Sequence, residues 1–531
     1  MMIELLLGVC LVGAVAIFLL PDRYSARLSF GISLLPIIGS LYMYATFDGV
    51  GNALLEGSTL AFETKVNWLS IGPYELFYHV GLDGVSMPLI VLTTILTTLA
   101  ILSAWTPIDE RQSQFYGLML LMEASLIGVF AALDFFVWFV FWEAVLIPMY
   151  FLIGVWGGPR RKYAAIKFFV YTNVASLVMF VGFFLLVFGL GDSIQTLGLP
   201  AIAQALSAPG AVESIAGMPP NTVKAVAFFL MFAGFAVKVP VVPVHTWLPD
   251  AHVEAPTPVS VILAGVLLKM GTYALLRFNF TFLPEIAQQY ALILVAFAVV
   301  SVIYGALLAL AQQDLKRIVA YSSVSSMGYV ILGLVAFTLY GLGGATFQMI
   351  SHGLISGLLF LGVGVIYNTT HTRMVGDMSG LADRMPVTAG AIVAGSFAYM
   401  GLPLMSGFVA EFLVFSGSFS ADFAYAPLLT AIAMFGIVIV AGYYLFAMQR
   451  TLFGQFSVST DYEITRASAH DVVPLVVLIV LIIALGSVPE IVFDMIEGAI
   501  RPMTELTATQ QADTGSEMLG LGVSFLGGVL L

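Results

Sequence analysis

The sequence is short of charge and almost without cysteine. Of its 531 residues, 9% are charged, where a soluble chain carries roughly a quarter. The single cysteine, Cys10, excludes an internal disulfide and any zinc site or iron–sulfur cluster ligated by the cysteines of this chain alone. A P-loop is absent. The nearest approach to a dinucleotide fingerprint, GVGVIYN at Gly362–Asn368, sits inside an apolar run and lacks both the preceding strand and the third glycine. Redox and nucleotide chemistry are therefore not expected of this chain. A net charge of −12 argues against nucleic acid as a partner. Met1–Leu20 has neither a basic leader nor a small-residue cleavage site, and reads as a retained first span rather than a signal peptide.

What is abundant is apolar surface. Hydrophobic residues make up 60% of the chain and the mean hydropathy is +1.02. Such a chain needs lipid as solvent, and its apolar runs have the length of membrane helices rather than of barrel strands. The fold class is an all-α polytopic membrane protein of about 14 spans, near 2–20, 28–46, 84–105, 115–132, 134–156, 164–190, 223–244, 255–277, 284–308, 316–337, 342–367, 387–416, 426–449 and 474–494. The tail after Arg501 is polar until Met518–Leu531, which is too short to span comfortably.

Numbering the connections from the first, the odd ones hold Arg23, Arg27, Arg111, Arg160, Arg161, Lys162, Lys316, Arg317, Arg373, Arg384, Arg450 and Arg466, and the even ones little beyond Lys65, Lys224 and Arg277. The odd side is cytoplasmic or its equivalent, with both termini opposite. Spans 223–244 and 387–416 are interrupted, one by Pro240 and Pro243, the other by MGLPLMSGF (Met400–Phe408). They lie five spans apart. This predicts an N-terminal part (1–106), a five-helix repeat (107–278), a second repeat inverted relative to it (279–450) and a C-terminal part (451–531). Inverted repeats with matched broken helices are the pattern of ion transporters.

An ionisable residue at mid-bilayer costs about 2.5–3.5 kcal/mol on insertion scales. Six titratable residues nonetheless fall within six different apolar spans: Glu123, Glu143, Lys238, Lys269, His352 and Glu411. One such residue is as readily a structural pair as a functional group. Polar glue between helices is usually Ser, Thr or Asn, so six titratable groups of both signs suit a proton relay better. Burial lowers lysine pKa values and raises carboxylate ones, so both kinds can exchange protons near neutral pH. Glu143 and Lys238 are a candidate switch pair. A helix broken by proline beside a buried lysine implies a protein-covered or watered cavity, against the plainer reading of a proline kink. His245 and His252 near the same break read as structural histidines, with no compact cluster for zinc. The Trp and Phe stripe around Glu143 reads as packing or lipid-facing surface.

PVHTWLPDAHVEAPTPVSVILAGVLLKMGTYALLRF (Pro243–Phe278) and QQDLKRIVAYSSVSSMGYVILG (Gln312–Gly333) resemble the antiporter-like family shared by respiratory complex I and multisubunit sodium/proton antiporters. The likeness runs from about Tyr78 to Arg450. Three further stretches, FFVWFVFWEAVLIPMYFLIGVWG (Phe135–Gly157), FQMISHGLISGLLFLGVGVIYNTTHTR (Phe347–Arg373) and GFVAEFLVF (Gly407–Phe415), resemble most the chain 4 (subunit M) branch of NADH-quinone oxidoreductase. Other branches more often place a lysine where this chain has Glu411.

The resemblance implies that Glu143 pairs with Lys238 at the uptake half-channel, that Lys269 is the central relay, that His352 helps link the two halves, and that Glu411 is the terminal proton carrier. Glu123, His245 and His252 take secondary places on the path. Ser326 stands where the family often has histidine, and a water held there would bridge Lys269 to Glu411. It also implies a subunit of a proton-translocating oxidoreductase in an energy-transducing membrane, most simply a prokaryotic plasma membrane. FMN, iron–sulfur clusters and quinone would lie in partner subunits, with neighbouring antiporter-like chains and the quinone module as partners and no cofactor or metal in this chain. The competing readings are a sodium/proton antiporter subunit without a redox partner, and a polytopic scaffold that moves no ion.

Overall fold

The computed structural model describes residues 1–459 and 467–505; Arg466 and the Met518–Leu531 segment lie outside them. Among the described residues, thirteen helices are long and apolar enough to cross a membrane. Two shorter apolar helices, Pro386–Tyr399 and Ser406–Phe419, follow one another across residues 400–405. Together they make the fourteenth span, so the breaks fall in spans seven and twelve.

Local sequence sets where several helices begin. The Asp134 side chain accepts from the Phe136 backbone N–H and starts Phe135–Ala144. Asp314 does the same for Leu315–Val335 through Lys316, and Thr338 for Leu339–Thr370 through Gly341. Each supplies one of the acceptors that a helix N-terminus lacks.

Two spans form the axis of the bundle. Thr257–Thr281 and Leu339–Thr370 are fully enclosed by protein along their apolar windows, whereas Asp22–Ala45, Ala426–Thr451 and Ala469–Ser487 bury only about a third of theirs. The enclosed helices carry Lys269 and His352. Shielding from lipid is the condition under which an intramembrane cation is tolerated.

The bundle is helical as expected, and its described connections add two small two-stranded sheets, the shorter pairing Met378–Ser379 with Ser457–Val458. The connection after the second span contains an antiparallel hairpin, Ala61–Ile71 with Tyr74–Leu82. Hydropathy windows of membrane length pass over strands this short. The hairpin joins the other long connection directly, with Glu75 N–H donating to the Gln195 carbonyl at 2.8 Å. It also joins it through the short connection between spans four and five, where Leu133 N–H donates to the His79 carbonyl at 2.9 Å and the Leu133 carbonyl accepts from Leu199 N–H at 2.8 Å. Both long even-numbered connections thus form one cap on the side opposite the arginine-rich loops.

The first break also differs from its predicted place. The helix Pro220–Lys238 stops at the lysine, before either proline. The chain then turns through Val244–Thr246 into a short helix, Trp247–Glu254, that hydropathy did not separate from the break. Side chains from elsewhere satisfy the exposed backbone: Ser301 Oγ accepts from Val242 N–H at 3.1 Å, and Trp247 Nε1–H donates to the Val237 carbonyl at 2.8 Å. Such compensation is what allows irregular backbone at membrane depth.

Candidate functional site

Lys238 is 1% exposed and occupies the last turn of its helix. Its Nζ donates to the Trp142 carbonyl at 3.2 Å and lies 3.6 Å from the centre of a Trp142 ring. The direct Glu143–Lys238 ion pair read from the sequence is not formed: no charged contact within 4.0 Å joins them, and Glu143 Oε1 is buried without a hydrogen-bond partner. Glu143 is nevertheless the charged group whose field acts on Lys238. The reason is helical geometry. Successive residues point about 100° apart, so the helix that turns Trp142 onto the lysine turns Glu143 aside. Trp142 is held there by its Nε1–H bond to Ser176 Oγ at 3.0 Å and by stacking on Trp138 at 4.7 Å. The aromatic stripe on this helix is therefore packing surface on the Trp138 and Trp142 side.

Lys269 is fully buried. It lies on Leu268–Ala274, between two π-helical segments, Leu263–Leu267 and Leu275–Thr281. Its Nζ contacts His352 Nδ1 at 2.6 Å and donates to the Ala264 carbonyl, also at 2.6 Å. π-helical turns are frequent at functional sites. The two axial helices meet at a glycine pair: a Cβ on Gly353 would lie 2.7 Å from the Gly265 carbonyl oxygen. Glycines here let the backbones approach closely enough for lysine and histidine to touch across the joint. Lys269 and His352 thus form one station rather than two.

His352 Nε2 has no protein partner, and the ring stands edge-on to Tyr399 at 5.7 Å. Tyr399 is the last residue before the second break. Its hydroxyl lies beside Ser322, Ser323 and Ser326, none of which closes a hydrogen bond to it. Tyr444 extends the cluster, its hydroxyl 3.0 Å from Ser322 Oγ. Glu411 lies in the fragment after the break, 5% exposed, with Oε2 unpartnered. A Cβ on Gly401, whose φ is +65°, would fall 2.5 Å from that oxygen. The carboxylate is seated against the break itself. Ser326 is therefore one member of a hydroxyl cluster. Tyr399 completes that cluster and was missed, although it directly precedes MGLPLMSGF.

The remaining candidates fare differently. Glu123 is fully buried with both oxygens unpartnered by the criteria of ordinary hydrogen bonds. It faces Cys10 of the first helix, and no contact brings it to the lysines. His245 packs against the rings of Tyr304 and Tyr321. His252 lies flat on Phe360 at 4.5 Å, with both ring nitrogens unpartnered and within range of the charges of Lys269 and Lys316.

Lys316, counted from the sequence among the cations of the odd-numbered connections, lies inside the protein instead. It is 4% exposed, and its Nζ donates to the Ala255 carbonyl at 2.8 Å. That carbonyl follows the end of Trp247–Glu254, where a helix favours a cation. Loop position alone could not reveal this, because the partner lies 61 residues away.

The family described as "NADH:quinone oxidoreductase/Mrp antiporter, TM" matches residues 132–440. The F(420)H(2) dehydrogenase subunit M of Methanosarcina mazei is 38% identical over 95% of this chain and 98% of its own length. NADH-quinone oxidoreductase subunit M of Rhodobacter capsulatus is 41% identical over 93% of each. Among solved structures, a chain of respiratory complex I from Thermus thermophilus superimposes with a TM-score of 0.82 at 29% identity, covering 95% of this chain and 99% of that one.

Proposed function

The chain belongs to the membrane-subunit family of NADH:quinone oxidoreductases and Mrp antiporters, and from that premise we propose that it translocates protons as the subunit M member of a complex I-type oxidoreductase. The observation that carries the proposal is the Lys269–His352 contact at 2.6 Å. It joins the two enclosed helices, and so the first broken half to the second.

Each station does distinct work. Lys238 holds a proton over Trp142 under the field of Glu143. Its release changes the charge felt by the next cation, and Coulomb interactions of this kind are strong where water is scarce. Lys269 passes a proton to His352, whose second ring nitrogen has no protein partner and whose ring packs against Tyr399. The hydroxyls of Tyr399, Ser322, Ser323 and Ser326 both donate and accept, and they lead toward Glu411. The unpartnered polar atoms at Glu143, His252, His352, Tyr399 and Glu411 are groups that water satisfies. Partner subunits supply FMN, iron–sulfur clusters and quinone, so this chain contributes no redox centre. They also decide the electron donor, which differs in name between the two relatives. The complex sits in an energy-transducing membrane, most simply a prokaryotic plasma membrane, beside further antiporter-like chains and the quinone module.

The test is Lys238→Ala in the assembled complex, with quinone reduction and proton pumping measured in one preparation. Loss of both supports the relay. If both persist, Lys238 is structural and the path does not run through it. Sodium movement without any redox partner co-purifying would point instead to the antiporter reading.

A further inference from the structure

The helix that carries Lys269 continues toward the capped side of the membrane with Tyr273 and Arg277. These three stand at steps of four residues, which places them along one face. Arg277 is 1% exposed, although the sequence reading placed it among loop cations. Its guanidinium donates to Asp83 Oδ1 at 2.6 Å and to Asn52 Oδ1 at 3.2 Å, and lies 4.9 Å from the Tyr273 ring centre. The Tyr273 hydroxyl donates to the Phe130 carbonyl at 3.1 Å.

Around the arginine almost every polar atom is engaged. Asp83 accepts from the backbone of Ala53, Val85 and Ser86 as well as from Ser86 Oγ. Asn52 accepts from Leu54 N–H and donates to the Ala499 carbonyl. Arg277 Nε is the exception. The contrast with the lateral path is chemical. His352, Tyr399 and Glu411 carry polar atoms with no protein partner, while the route straight down from Lys269 ends in an ion pair whose carboxylate and amide are fully engaged and whose guanidinium leaves only Nε free. A saturated network leaves few sites for a water chain.

We propose that Asp83, Arg277 and Asn52 form a plug on the capped side that prevents direct proton release beneath Lys269 and so directs the proton sideways through His352. In this role they are positioning residues. The proposal rests on proton translocation by this subunit. It explains why a chain with a cation two turns from the cap sends its proton across the bundle instead.

The experiment uses the whole complex in proteoliposomes, carrying Asp83→Asn or, should that variant not assemble, Arg277→Lys, which keeps the charge but loses the forked contact. Two quantities are read: passive proton leak under an imposed membrane potential without electron donor, and protons pumped per quinone reduced. The plug predicts a several-fold rise in leak and a fall in the pumping ratio, with quinone reduction retained. A merely structural pair lowers thermal stability and leaves leak and ratio at the native values, which overturns the plug. If the native complex itself pumps nothing, the failure lies with the proposed function.

Discussion

The two broken helices differ in how they hold their charged residue. Lys238 ends the first fragment, so the exposed carbonyls of its last turn favour the cation. The face of Trp142, fixed by stacking and by Ser176, adds a second stabilising contact. Glu411 lies beyond the first turn of Ser406–Phe419, where the helix field has decayed. Its surroundings are the Gly401 turn and a group of hydroxyls. The lysine station is built from rigid groups that cannot themselves pass a proton, and the glutamate station from rotatable hydroxyls that can. Similar topology at the two breaks therefore offers different chemistry: groups that favour a fixed positive charge at the first, and exchangeable hydroxyls beside a carboxylate at the second.

The widest test removes the joint between them. Lys269→Ala or His352→Ala separates the two breaks, and coupled proton transfer in the assembled complex falls by about 100-fold or more, the scale of losing a proton-transfer group. Retention of coupled pumping in either variant would mean that the breaks work independently. Next comes Gly401→Ala. It forces a side chain into positive φ and against the Glu411 carboxylate, at a cost of about 1–3 kcal/mol, read as a lowered unfolding temperature of the complex. An unfolding temperature unchanged from the native complex would show that the turn accommodates a side chain against Glu411, and would erase the contrast.

Tyr399→Phe keeps the ring and deletes the hydroxyl. Pumping slows by about tenfold, equivalent to ~1.4 kcal/mol on the barrier, with assembly unchanged. An unaltered rate would move the path away from the tyrosine–serine cluster. Smallest is Trp142→Phe, which weakens the cation–π contact by up to about 1 kcal/mol while the backbone carbonyl still accepts from Lys238. The rate then shifts only a few-fold, and its pH profile moves because the protonated lysine is less favoured. A loss as large as that at Lys269 would show that Trp142 does more than hold charge.

Much of the site was legible because buried charge is conspicuous in an apolar sequence. Glu143, Lys238, Lys269, His352 and Glu411 stand out against their spans without any structure. Tyr399, Ser322 and Ser323 did not, since hydroxyl residues are common in membrane helices. Lys316 and Arg277 were read as loop cations because they stand near span ends, and near an end a cation is ordinarily an anchor. The Glu143–Lys238 pair was legible as an association and not as a contact, because one step along a helix changes which residue faces the neighbour.

Composition and run length by themselves determined a multi-pass helical bundle and the residues whose burial needs a reason. These follow from transfer free energies that act residue by residue. The hairpin of the second connection, the end of the first broken helix at Lys238, and the meeting of Lys269 with His352 were decided only by tertiary structure. Each depends on which surfaces pack together, as at the Gly265–Gly353 crossing, where backbone approach between residues distant in sequence brings Lys269 and His352 within 2.6 Å.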